Sequence, residues 1–136
     1  MSTLAITETE IQHRKQVAEQ TMESIKRILP WESEEPNCIM TNYKGFYLQI
    51  SISEVHPLIA FCFVREIPDY TEINLEKVNE VNLLGILGCN CINQKAGCYT
   101  YRTAIWLETD LSNVRLVEIL DRCVEEAVRG YIYLAS

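Results

Sequence analysis

Basic charge is scarce in this sequence. Twelve Lys and Arg stand against nineteen Asp and Glu, a formal net charge of −7, and nowhere are the basic residues gathered into a stripe. Binding a run of phosphates needs such a stripe, so nucleic acid is not the expected partner. Long apolar runs are missing as well. Residues 58–64 are apolar throughout, yet a membrane-spanning helix needs roughly 20 such residues. Glu8, Glu10, Arg14, Lys15 and Glu19 break up the first twenty positions, which leaves no apolar centre for a secretory signal. The expected location is therefore the cytoplasm, where the six cysteines stay as thiols. Histidine is limited to His13 and His56. The first lies among charged helix residues, and the second precedes Pro57 in a turn.

The rest of the composition describes a folded protein. The chain has 136 residues, of which 48% are hydrophobic and 23% charged. That is enough to bury a core without disulfides or metal, and one domain over residues 1–136 is expected. No internal repeat or low-complexity tract divides it.

Period and punctuation place the elements. Ile11, Ala18, Met22, Ile25 and Leu29 form one apolar seam over residues 4–29, which predicts an amphipathic helix. Pro30 ends it. The acidic stretch 31–36 lies between two prolines and reads as a loop. Residues 38–43 form a first strand, with a turn at Lys44-Gly45. In residues 46–53, Phe46, Leu48, Ile50 and Ile52 alternate with Tyr47, Gln49, Ser51 and Ser53, the pattern of a strand buried on one face. Residues 58–64 read as a central strand covered on both faces. A short helix over 75–84 carries Leu75, Val78 and Val81 or Asn82 on one side. It is followed by strands at 89–92 and 98–107, joined through Lys95-Ala96-Gly97. Ser112 is a natural N-cap for a last helix over 113–134, with its seam at Leu116, Leu120, Cys123, Ala127, Tyr131 and Leu134. Gly130 falls inside that helix and is expected to fray its end. The predicted fold is α+β: a single antiparallel sheet of about five strands packed with helices, in the order α-β-β-β-α-β-β-α.

Little in the chain points to catalysis. Gly85-x-x-Gly88 leads into a strand and not into a helix N-terminus, so it lacks the geometry that cradles phosphate. Glu32, Glu34 and Glu35, and the pair Glu125-Glu126, read as solvated charge. Cys89, Cys91 and Cys98 are the one cluster suited to a soft metal or to thiol chemistry. Structural zinc takes four ligands at spacings such as C-x2-C, and here three cysteines stand without a nearby histidine. Packing cysteines are the preferred reading, and neither metal nor cofactor is expected. The aromatics are more informative. Tyr47, Tyr99, Tyr101 and Trp106 lie on strands, with Trp106 on the opposite face from Tyr99 and Tyr101. On a sheet face without a helix they suit a subunit or peptide contact; core packing is the competing reading.

The element order, together with Val78-Asn79-Glu80-Val81-Asn82, the hairpin ending Tyr101-Arg102-Thr103-Ala104, and residues 116–131 of the last helix, resembles the small acidic type III secretion chaperones. It is similar also to the related bacterial YbjN family, grouped with sensory-transduction regulators. The resemblance implies a secretion chaperone-like fold and a homodimeric binding protein without catalytic residues. The expected function is thus a non-enzymatic protein-binding module, a homodimer that holds or regulates another polypeptide. The alternative is a small thiol- or metal-dependent enzyme or sensor built on Cys89, Cys91 and Cys98.

Overall fold

The computed structural model describes residues 6–53, 55–107 and 111–136, with the side chain of Glu34 left aside. Within them lie three α-helices and six strands in the order α1 (Glu8–Ile28), β1 (Glu32–Glu35), β2 (Cys38–Tyr43), β3 (Phe46–Ser53), β4 (Leu58–Glu66), α2 (Leu75–Leu84), β5 (Cys89–Asn93), β6 (Cys98–Trp106) and α3 (Asn113–Ala135). The strands form one antiparallel sheet in the order β1-β2-β3-β4-β6-β5. The fold is α+β and follows the expected order, with one strand more than expected. Glu32–Glu35 pairs with β2 through an irregular register, although its Glu-Ser-Glu-Glu sequence carries no apolar alternation. Its partner supplies the hydrogen bonds, and its place at the sheet edge removes any need for a buried face.

Local chemistry sets the boundaries. The Thr7 side chain accepts from the Glu10 N–H to cap α1; the expected start of this helix at Leu4 lies outside the described residues. Asn74 caps α2 and Ser112 caps α3 in the same way. Lys44 and Gly45 both adopt positive φ, 47° and 90°, and join the facing pair Tyr43 and Phe46. That is a two-residue hairpin whose twist matches the strands, and glycine enters the left-handed region at its second position without strain.

Helices α1 and α3 cover a single face of the sheet. Beneath them lie Leu48, Ile50, Ile59, Phe61, Phe63, Tyr99 and Tyr101, with Ile25 of α1 and Leu116 and Leu120 of α3. Each fully buried aliphatic or Phe side chain contributes about 1.5–3 kcal/mol, so this layer dominates the stability. The other face has no helix among the described residues. β4 was expected to be covered on both sides, but its open-face residues Leu58, Ala60, Cys62 and Val64 are only half-buried.

Gly130 does not fray α3, which continues to Ala135. A Cβ at this position would lie 2.1 Å from Asn90 Oδ1 and 2.8 Å from the Tyr99 hydroxyl. The glycine lets the helix backbone approach β5 and β6 closely.

Candidate functional site

Strand alternation sends the even-numbered residues of β2, β4 and β6 to the open face, with the odd-numbered residues of β3 and β5 beside them. The register lines up cross-strand rows there. Gln49, Cys62, Arg102 and Cys89 form one row across β3, β4, β6 and β5, and Tyr47, Val64, Thr100 and Cys91 form the next. Five of the six cysteines, all but Cys123, thus belong to this face. Between the rows is a shallow depression of about 590 Å³ lined by Gln49, Cys62, Cys89, Cys91, Thr100 and Arg102, among others. Arg102 is the one charged residue among the described lining residues. Burial pushes the Cys62 thiol up, and the nearby Arg102 guanidinium partly opposes that shift.

The four aromatics divide between the two faces. Tyr47 is 45% exposed and Trp106 69% exposed, both on the open face. Tyr99 and Tyr101 are wholly buried, which corrects the expectation that they present a binding surface. Their face of β6 is the one that α3 covers, so they serve the core. The Tyr99 hydroxyl donates to Asn90 Oδ1, and the Tyr101 hydroxyl donates to Glu126 Oε1 at 3.0 Å. Burial is the main cause that pushes both phenols far above the ordinary range.

Cys89, Cys91 and Cys98 do share a face, but Cys98 stands opposite Asn93, one step beyond the Thr100 that faces Cys91. Among the described residues no group of three His, Cys, Asp or Glu side chains converges to hold a metal ion.

Two features escaped the sequence reading. The first is an aliphatic ridge over residues 83–87. Leu83, Leu84 and Ile86 are 85%, 76% and 89% exposed, and Leu87 is exposed beside them. Four large aliphatics within five residues was a readable signal; period-based reading absorbed the first two into the α2 helix and passed over the rest as a stop. The second is Glu126, expected to be solvated, which is instead buried on α3. Its carboxylate accepts from the backbone N–H groups of Ile86 and Leu87 at 3.1 Å and Gly88 at 3.3 Å, besides the Tyr101 hydroxyl. Burial alone would raise its pKa, but the N–H groups of Leu87, Ile86 and Gly88, with the Tyr101 hydroxyl, hold the carboxyl below the usual carboxylate range. The acid therefore pins the segment that displays the ridge. Next to it, the Asn82 side chain of α2 accepts from the Asn90 N–H at 2.7 Å and donates to the Asn90 carbonyl at 2.9 Å. An amide side chain thus satisfies both outward-facing backbone groups of β5 at Asn90.

No protein-family profile and no curated sequence matches the chain. Solved structures do. A chain of the HopA1–SchA chaperone–effector complex is 16% identical, with a TM-score of 0.61 over 93% of this chain and 98% of that one. YbjN from E. coli is 8% identical, with a TM-score of 0.59 over 81% and 84%. The structure of the Yersinia pestis type III secretion chaperone SycH, in complex with a stable fragment of YscM2, matches at 13% identity, with a TM-score of 0.58 over 83% and 98%. The fold is the one expected from the resemblance to secretion chaperones and YbjN. No described helix is long and apolar enough to cross a membrane.

Proposed function

We propose that this chain is a non-enzymatic, chaperone-like protein-binding module of the cytoplasm, which pairs with a second copy of itself and holds or regulates another polypeptide. The aliphatic ridge at residues 83–87 carries the proposal. Leu83 and Leu84 at the end of α2, and Ile86 and Leu87 on the segment that Glu126 holds in place, are exposed to solvent. A contiguous apolar display of this kind marks a contact surface. Full burial of an exposed aliphatic side chain is worth about 1.5–3 kcal/mol, and the area these four still expose equals about three such side chains in each copy, a gross of about 9–18 kcal/mol. Association costs about 4–15 kcal/mol. Repulsion between two subunits of net charge −7 is screened beyond about 8 Å at physiological salt. Asn82 occupies the β5 edge at Asn90, so the subunit contact runs through α2 and the ridge rather than through strand pairing at that position. The open face, with Tyr47 and Trp106, is then left for the other polypeptide. Solved complexes of the same fold, such as HopA1–SchA, pair a chaperone with an effector, which supports this assignment.

Sedimentation equilibrium at micromolar concentration tests it. The chain should sediment at twice its 15.7 kDa mass, and the double variant Leu84→Asp, Ile86→Asp at the monomer mass with an unchanged circular dichroism spectrum. A parent protein that stays monomeric as concentration rises, or a variant that stays dimeric, would overturn the assignment.

A further inference from the structure

We infer that the depression around Arg102 is a thiol-exchange site, in which Cys89 takes up an anionic low-molecular-weight disulfide of the glutathione class. Arg102 stands directly opposite Cys62 on one side and Cys89 on the other. Side chains so placed have Cβ atoms about 4.5–5.5 Å apart. In a chain of net charge −7, this concavity has a guanidinium as its sole charge among the described lining residues. No carboxylate among the described residues forms an ion pair with it. A cation with no ion-pair partner among the described residues, set in a hollow beside thiols, suits a ligand that brings both a carboxylate and a sulfur.

The three thiols of the hollow differ in what they can do. Cys62 is half-buried, and its thiol is held in the protonated form by burial. Cys91 is exposed, but it faces Thr100 and not Arg102. Cys89 alone combines exposure with Arg102 as its cross-strand partner. The thiolate is the attacking species in such an exchange. The Cys89 thiol loses its proton, and the thiolate attacks one sulfur of the incoming disulfide. The S–S bond of the reagent breaks as the new one to Cys89 forms, and the departing glutathione thiolate takes up a proton. Cys89 sulfur is oxidised and the departing sulfur reduced, so no further oxidant enters. Arg102 acts as a positioning residue that holds a carboxylate of the reagent over the thiol. The adduct is a reversible cap, and it places bulk and negative charge on the face that also carries Tyr47 and Trp106.

The test compares glutathione disulfide with uncharged hydroxyethyl disulfide on the purified full chain, followed by intact-mass and peptide mapping. Glutathione disulfide should add one glutathionyl group, at Cys89, removable by dithiothreitol. It should react roughly fivefold faster than the neutral reagent, the factor given by one opposite charge about 4 Å away in a water-like dielectric. Arg102→Ala should bring the two rates together, Arg102→Lys should keep most of the preference, and Cys89→Ser should abolish it. Absence of an adduct, an adduct spread evenly over Cys89 and Cys91, or a preference that survives Arg102→Ala would each overturn the inference. A purely structural role for Arg102 would alter both rates alike. Because the readout is made on the monomer mass, it does not depend on whether two copies associate.

Discussion

Replacing Glu126 by glutamine removes one negative charge while keeping the side chain's size. The carboxylate now accepts three backbone N–H groups and one phenol hydroxyl. Hydrogen bonds to a charged group are worth about 1.5–3 kcal/mol each in net terms, but they will not add here. Ile86 is highly exposed, so water can reach part of the freed loop, and the amide oxygen of glutamine can still accept. We expect a loss of about 2 kcal/mol at neutral pH, close to the strength of one such charged bond. In urea this moves the midpoint by about 1 M, given a slope of about 1–3 kcal/mol per molar. The pH dependence is the stricter check. The folded carboxyl titrates below the ordinary range, so its contribution is fully present above the unfolded value of about 4.3. It is lost as pH falls through the folded-state value. Urea unfolding of parent and Glu126→Gln should therefore differ at pH 7 and converge progressively in acid. A variant within about 0.5 kcal/mol of the parent at pH 7, the range of an ordinary surface change, would refute the reasoning. So would a gap that stays constant down to the acid end.

Gly130→Ala should destabilise the protein even though alanine is the better helix former by about 1 kcal/mol. The new Cβ meets Asn90 Oδ1 and the Tyr99 hydroxyl, which are bonded to each other and cannot both withdraw. An overpacking cost of about 1–3 kcal/mol should appear as a fall in Tm in a thermal scan; an increase would show that α3 has room to shift. Leu120→Asp places a carboxylate at a wholly buried position of α3, a change that costs several kcal/mol without a compensating partner. No cooperative thermal transition is expected, and one close to that of the parent would contradict the docking of α3.

The elements that the sequence revealed are those in which one side of a regular period is apolar. β3 alternates visibly, and α2 spans the expected residues 75–84. What stayed hidden depended on neighbours. Period two separates Trp106 from Tyr99 and Tyr101, but it does not say which of the two faces the helices will cover, so half of the aromatic assignment fell in the core. β1 was invisible because an edge strand needs a partner and not a pattern. Glu126 sits next to Glu125 in an apparently polar pair, and only the arrival of the 86–88 backbone, some 38 to 40 residues away in sequence, gives it ligands. The apolar nature of β4 on both sides was legible, but not that its second face would remain open.

The two margins of the sheet come apart differently. Among the described strands β1 pairs only with β2, through an irregular register, so it can peel away without breaking the pairing of any other strand. At the opposite margin, Asn82 grips the Asn90 backbone while Glu126 clamps the segment just before it. The outermost strand cannot leave unless α2 lifts with it and the anchor on α3 lets go. A strand that would ordinarily be the first place for a sheet to unzip is thereby bound into the same cooperative unit as the interior, and opening on that side becomes an all-or-none event.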